Sequence, residues 1–163
     1  GLIRTVLRSF DLEGFPVATG SKGFHVWVPL DGELGFDDVG LTARALAGLA
    51  TIEAPDLVTT EFLKKNREGR VFVDWLRNGP IATVVVPFSL RPRPGAPVAV
   101  PLRWEELAQS APDRWHLRDL DDRFDLHPGV APQRLPVESI VKAARSAGVD
   151  LDTPHDRFGR EPG

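Results

Sequence analysis

The run Arg70-Val71-Phe72-Val73-Asp74-Trp75-Leu76 sets one carboxylate in the middle of a segment that otherwise reads as a buried strand. Val, Phe and Trp favour strands, whereas Asp is depleted from them. Side chains alternate along a strand, so Asp74 shares a face with Phe72 and Leu76 and lies opposite Val71, Val73 and Trp75. An ionised carboxylate among apolar neighbours is costly unless a cation or several donors compensate it. Asp74 is therefore either the partner of a nearby arginine or a metal ligand.

A second segment is built around a turn. Residues 15–18 read as a short strand and residues 24–28 alternate as the next one. Thr19-Gly20-Ser21-Lys22-Gly23 lies between them. Glycines let backbone N–H groups converge on an anion, Ser and Thr add hydroxyls, and Lys adds charge. His25 and Trp27 point to the face opposite Phe24, Val26 and Val28. The spacing is not that of a Walker loop. By itself the turn is as compatible with an ordinary hairpin connection as with a phosphate site.

The middle of the chain supplies cations. Residues 64–103 carry Lys64, Lys65, Arg67, Arg70, Arg77, Arg91, Arg93 and Arg103 against Glu68 and Asp74, a net +6 inside a chain of net charge −3. Such a patch suits phosphate-bearing partners, although individual cations such as Lys64, Lys65 and Arg103 also fit a solvated face. Arg91 and Arg93 follow directly on an apolar run at residues 82–88, which is expected to be a strand.

The remaining pattern predicts an α+β fold with a mixed sheet. Helices are expected at residues 2–10, 36–52, 103–110 and 137–147, the last closed by Gly148. Strands are expected at residues 71–76 and 82–88, joined by a turn at Arg77-Asn78-Gly79-Pro80. The Pro-rich stretch 92–101 is expected to run extended over the surface, because proline cannot enter a central strand. Residues 113–136 read as irregular. The predicted organisation is one domain over residues 1–149, followed by a poorly ordered tail at 150–163. With 163 residues, 42% of them apolar, there is material for a single core. No apolar run is long enough for a membrane span, and the start lacks a signal-peptide pattern. The absence of cysteine rules out disulfides and thiolate metal sites and fits a cytoplasmic protein.

Five segments in this order resemble one family. They are Thr19-Gly20-Ser21-Lys22-Gly23-Phe24-His25-Val26, then Asp56-Leu57-Val58-Thr59-Thr60, then the stretch from Lys64 through Asp74-Trp75. Val86-Pro87-Phe88-Ser89-Leu90-Arg91-Pro92-Arg93-Pro94-Gly95-Ala96-Pro97-Val98 follows, and Pro101-Leu102-Arg103-Trp104-Glu105-Glu106-Leu107 completes the set. The pattern resembles the polymerase domain of bacterial DNA ligase D, a member of the archaeo-eukaryotic primase superfamily acting in non-homologous end joining. The resemblance implies a primase-polymerase-like catalytic core. It implies that Thr19, Gly20, Ser21, Lys22, Gly23 and His25 contact the phosphates of an incoming nucleoside triphosphate, together with Arg91. It implies that Asp74 is one of three metal-binding carboxylates for Mn²⁺ or Mg²⁺, and that Asp74 and His25 belong to the catalytic centre. Arg67 and Asn78 are implied as site-lining or nucleic-acid contacts. The implied partners are primer-template DNA with a break end, a DNA ligase and Ku-type end-joining proteins.

The chain also departs from that family. Thr19 stands where Ser is common, and Arg77 where Gln is common. The family's upstream Asp-x-Asp motif has no counterpart before Thr19, since Asp11-Leu12-Glu13 reads as a helix end. The chain therefore reads as the C-terminal portion of the domain, apparently truncated on the N-terminal side. The expected function is a portion of a DNA-repair primase-polymerase, inactive alone. The alternative is a non-catalytic nucleotide- or nucleic-acid-binding remnant that acts with a partner chain.

Overall fold

A computed structural model describes residues 1–120, 123 and 129–153. It divides into two compact units. The first gathers Gly1, residues 13–29 and residues 84–133; the second gathers residues 2–12, 30–83 and 134–163.

In the first unit, β1 (Phe15–Ala18) and β2 (Phe24–Trp27) form the antiparallel hairpin expected from their alternation, with Val17 opposite His25 and Ala18 opposite Phe24. The other edge of β1 pairs with a strand the sequence reading placed on the surface, β3 (Val100–Pro101). Prolines 97 and 101 flank the apolar run Val98-Ala99-Val100, and that run is what the unit buries, together with Leu102. An edge position makes the missing N–H of Pro101 harmless. Ala18, Val98, Val100, Leu102 and Leu120 form the core, with Phe24, Phe88, Leu107 and Trp115 packed around it.

The expected strand at residues 82–88 is absent, because Ala82 N–H donates to Gly79 O in a turn, Val84 and Val86 are exposed, and Phe88 adopts a left-handed φ of 64°. A short irregular hairpin follows instead. Phe88 N–H donates to Ala99 O at 2.6 Å, Ala99 N–H to Ser89 O at 3.0 Å, and Arg91 N–H to Pro97 O at 2.8 Å. The Pro-rich residues 92–96 form its tip.

The expected helix after Arg103 is a 3₁₀ helix, Trp104–Gln109. Trp104 Nε1 donates to Gly14 O at 2.7 Å, and Glu106 accepts from Arg103 N–H at 2.7 Å. Arg123 pairs with Glu106, and its hydrogen bond is the leading reason that the Glu106 carboxyl lies below its ordinary 4.5; partial burial opposes the shift. A carboxyl depressed in the folded state contributes stability that is present above its unfolded value and lost as pH falls through the folded one. The pair is expected to add ~0.5–1 kcal/mol above about pH 4.5. Arg123→Ala should remove that contribution and flatten the acid side of the urea midpoint measured against pH. Equal acid sensitivity in both proteins would refute the assignment. The rest of the irregular region 113–136 contains a 3₁₀ turn at Leu117–Asp119; residues 121–122 and 124–128 of it lie outside the described ones.

In the second unit, α1 (Leu2–Arg8) closes before Asp11, whose φ of 57° marks the helix end expected there. The helix α2 (Phe36–Glu53) runs as its periodicity predicts, with Asp37 and Asp38 in the first turn, where a helix favours negative charge. Its small residues do the closest packing: Ala45, Ala47 and Ala50 are buried, whereas Ile52 is exposed. A β-carbon at Gly48 would run into Val149, so this helical glycine marks a close approach. Val6, Ala50 and Val58 form a core joined by Leu2, Ile3, Leu46, Leu49 and Val73.

The strand expected at residues 71–76 shrinks to β5 (Val71–Phe72), parallel to β4 (Val58–Thr59). Val71 is 60% exposed, so the run is not a buried strand. Asp74 ends it: Leu76 N–H donates to Asp74 Oδ1 at 3.1 Å, an Asx-type turn leading into a 3₁₀ turn at Leu76–Asn78.

The helix α3 (Val137–Ser146) ends at Gly148, φ 86°, as expected. Residues 150–153, assigned to a tail from sequence, are built into this unit. Leu151 is buried, and Arg44 donates to Leu151 O at 3.3 Å and Thr153 O at 2.9 Å. Burial lowers the Arg44 pKa, while the Thr153 hydroxyl heads the donors that hold Asp150 down to about 2. Residues 154–163 lie outside the described ones. Ile140 is fully buried on α3, and Ile140→Ala is expected to cost ~2–5 kcal/mol in urea unfolding. A loss below 1 kcal/mol would mean that the α3 face is not core.

Candidate functional site

The turn Thr19–Gly23 grows out of the β1–β2 hairpin and is tied down from within. Thr19 is buried, its N–H donates to Gly23 O at 3.3 Å and its hydroxyl donates to the same oxygen at 2.6 Å. Gly20 takes a left-handed φ of 65° and donates its N–H to Pro112 O at 2.8 Å. Three of the turn's donors are therefore spent inside the fold. The loop's other donors are the N–H groups of Ser21, Lys22 and Gly23, the Ser21 hydroxyl and the Lys22 ammonium. Lys22 and Gly23 are exposed and Ser21 is half-buried. His25 follows on β2, opposite Val17 and half-buried.

The turn and Arg91 come together, as the sequence reading expected. A β-carbon built on Gly20 would lie 2.6 Å from Arg91 Cγ, so the arginine stem lies directly against the loop. Arg91 is anchored by its backbone in the 88–99 hairpin. Its Nε is buried and has no acceptor among the described residues. A buried N–H of a charged group without a partner is costly, and an anion supplied from outside satisfies it. The arrangement therefore presents a guanidinium, an ammonium, a hydroxyl and loop N–H groups at one end of a hairpin, which is chemistry suited to a polyphosphate.

Arg67, Asp74 and Asn78 belong to the second unit. Arg67 Nε donates to Glu61 O at 2.9 Å, its Nη2 donates to Phe62 O at 2.7 Å, and its guanidinium carbon lies 4.0 Å above the Phe72 ring. It clamps its own loop with those donors. Asn78 Nδ2 donates to Trp75 O at 2.8 Å, within its own turn. Lys64 and Lys65, on the 3₁₀ turn Lys64–Asn66, are exposed, as is Arg77.

Asp74 is not the buried carboxylate its neighbours suggested. Its side chain is 35% exposed, Oδ2 accepts from Arg77 Nε at 3.3 Å, and Oδ1 is held by Leu76 N–H. The arginine partner is Arg77, three residues on. Among the described residues no group of three or more His, Asp or Glu side chains is arranged to hold a metal ion. The described side chains thus do not make a divalent-cation site by themselves. Nothing in the sequence points to Pro112, whose carbonyl fixes Gly20; only the folded chain brings it there.

The model of the LigD primase-polymerase domain matches residues 1–131. The chain is 38% identical over 125 residues to the multifunctional non-homologous end joining protein LigD of Mycolicibacterium smegmatis, covering 76% of this chain and 16% of that protein. It is 31% identical over 109 residues to the bifunctional non-homologous end joining protein LigD of Bacillus subtilis, covering 66% of this chain and 18% of that protein. Among solved structures, the polymerase domain of Mycobacterium tuberculosis ligase D in complex with DNA superposes with a TM-score of 0.63 at 30% identity, covering 94% of this chain and 48% of that one. The chain thus spans under a fifth of the length of these two relatives and about half of the solved domain.

Proposed function

Because this chain belongs to the LigD primase-polymerase domain family, we propose that it carries the triphosphate-binding part of a DNA-repair nucleotidyltransferase. That enzyme would add nucleotides to a primer 3′ end at a double-strand break. The observation that carries the reading is Arg91, whose stem lies against Gly20 and whose buried Nε has no acceptor among the described residues. Arg91, Lys22 and the Ser21 hydroxyl neutralise the triphosphate as charge moves onto the leaving pyrophosphate, which is where preorganised donors contribute most to phosphoryl transfer. Thr19 acts by closing the turn, and His25 contributes from the strand that follows it. The solvent-facing Lys64 and Lys65 suit the phosphates of a nucleic acid, and the solved relative is a complex with DNA. A DNA ligase and Ku-type proteins are the partners expected of an end-joining polymerase. Asp74 alone does not fit a metal, so no step here runs through one.

Calorimetric titration of the chain with inorganic tripolyphosphate tests the reading. Saturable binding that weakens with added salt is expected. Failure to bind at millimolar concentration would remove it.

A further inference from the structure

We propose that Gly20 is a positioning residue for Arg91, an inference that rests on the phosphate site described above. Glycine in an anion-binding turn is ordinarily explained by its backbone N–H reaching the ligand. Here that N–H is donated to Pro112 O. What the missing side chain provides is room. A β-carbon at Gly20 would lie 2.6 Å from Arg91 Cγ and 3.2 and 3.3 Å from the carbonyl carbon and oxygen of Val98.

Neither neighbour has an inexpensive way to yield. Val98 is backbone in a closed hairpin, with its own N–H donated to Trp115 O at 2.8 Å. Cγ sits close to the Arg91 backbone, which is itself fixed by the bond to Pro97 O. A methyl group at position 20 therefore turns the Arg91 side chain at its root, and the guanidinium several bonds further out moves most. Well-packed groups have few alternative arrangements to relax into. Gly20 thus sets where the buried Nε is aimed while making no contact with phosphate itself.

A four-protein comparison of the full chain tests this: wild type, Gly20→Ala, Arg91→Ala and the double variant, each titrated with inorganic tripolyphosphate and melted thermally. Gly148→Ala controls for left-handed backbone strain, since Gly148 has φ 86° and open space around it. Gly20→Ala and Arg91→Ala are each expected to lose roughly tenfold or more in affinity, as when a hydrogen bond to a charged group is removed. The double variant should lose no more than Arg91→Ala within about twofold, because two substitutions acting through one group do not add. Gly148→Ala should bind like wild type.

If wild type binds and the two single losses multiply in the double variant, or Gly20→Ala binds normally, the positioning role is overturned and the site stands. If wild type does not bind tripolyphosphate, the phosphate-site reading falls and this inference with it. Should Gly20→Ala fail to fold, the double variant should still melt measurably higher than Gly20→Ala, since the 2.6 Å contact with Cγ is gone while those with Val98 remain. Equal failure of both would refute the steric argument.

Discussion

Arg91→Ala is expected to weaken tripolyphosphate binding by roughly 10- to 100-fold, the loss of a hydrogen bond to a charged group worth ~1.5–3 kcal/mol. Lys22→Ala should cost only about two- to fivefold, because Lys22 is exposed and acts as a screened point charge. The difference should widen with salt, which screens an exposed ammonium more than a partly buried guanidinium. Thermal stability should separate the two as well. Lys22→Ala leaves the melting midpoint unchanged. Arg91→Ala removes the stem packed on Gly20 but also an unsatisfied buried N–H, and these opposing terms leave a small net change. Wild-type affinity retained in Arg91→Ala would end the claim that the buried Nε awaits an anion.

The sequence made the periodic elements readable. The β1–β2 hairpin and the helices α2 and α3 lie where alternation, 3.6-residue spacing and Gly148 place them. Misreadings came where an apolar run says nothing about which side of it faces water. Val71 and Val86 belong to β-branched runs that look like core and are exposed, while Val98-Ala99-Val100, set between prolines, looks like surface and is core. Proline forbids a central strand but not an edge, and the edge of β1 was available. At the candidate site the donors of the turn were readable from its residues, and the place of Arg91 beside it was implied by the family resemblance. The direction of each donor was not readable. Thr19 and Gly20 turn theirs inward to Gly23 O and Pro112 O, which only the folded chain brings into reach, and Asp74 meets Arg77 because a turn replaced the strand.

The 163-residue chain by itself is expected to show no manganese- or magnesium-dependent extension of a primed template and only weak divalent-ion binding. Hard cations take about six to eight oxygen ligands, or an octahedral set for Mg²⁺. Asp74 offers one carboxylate whose two oxygens already accept from Leu76 N–H and Arg77 Nε. The acidic pair that precedes the turn is Asp11 and Glu13. Asp11 closes the end of α1, and Glu13 N–H donates to Gln133 Oε1 at 2.8 Å. Asp74→Ala should therefore leave stability within about 0.5 kcal/mol of wild type, as expected for a solvent-accessible ion pair. A buried, uncompensated carboxylate would behave otherwise, because its removal would raise stability. Two outcomes bear on the claim separately. A large stability loss in Asp74→Ala would mean that the Asp74–Arg77 pair is structural to a degree its exposure does not suggest. Robust manganese-dependent extension by the chain alone, abolished by Asp74→Ala, would mean that Asp74 leaves Arg77 for the metal. Other carboxylates of this chain would then have to complete the set.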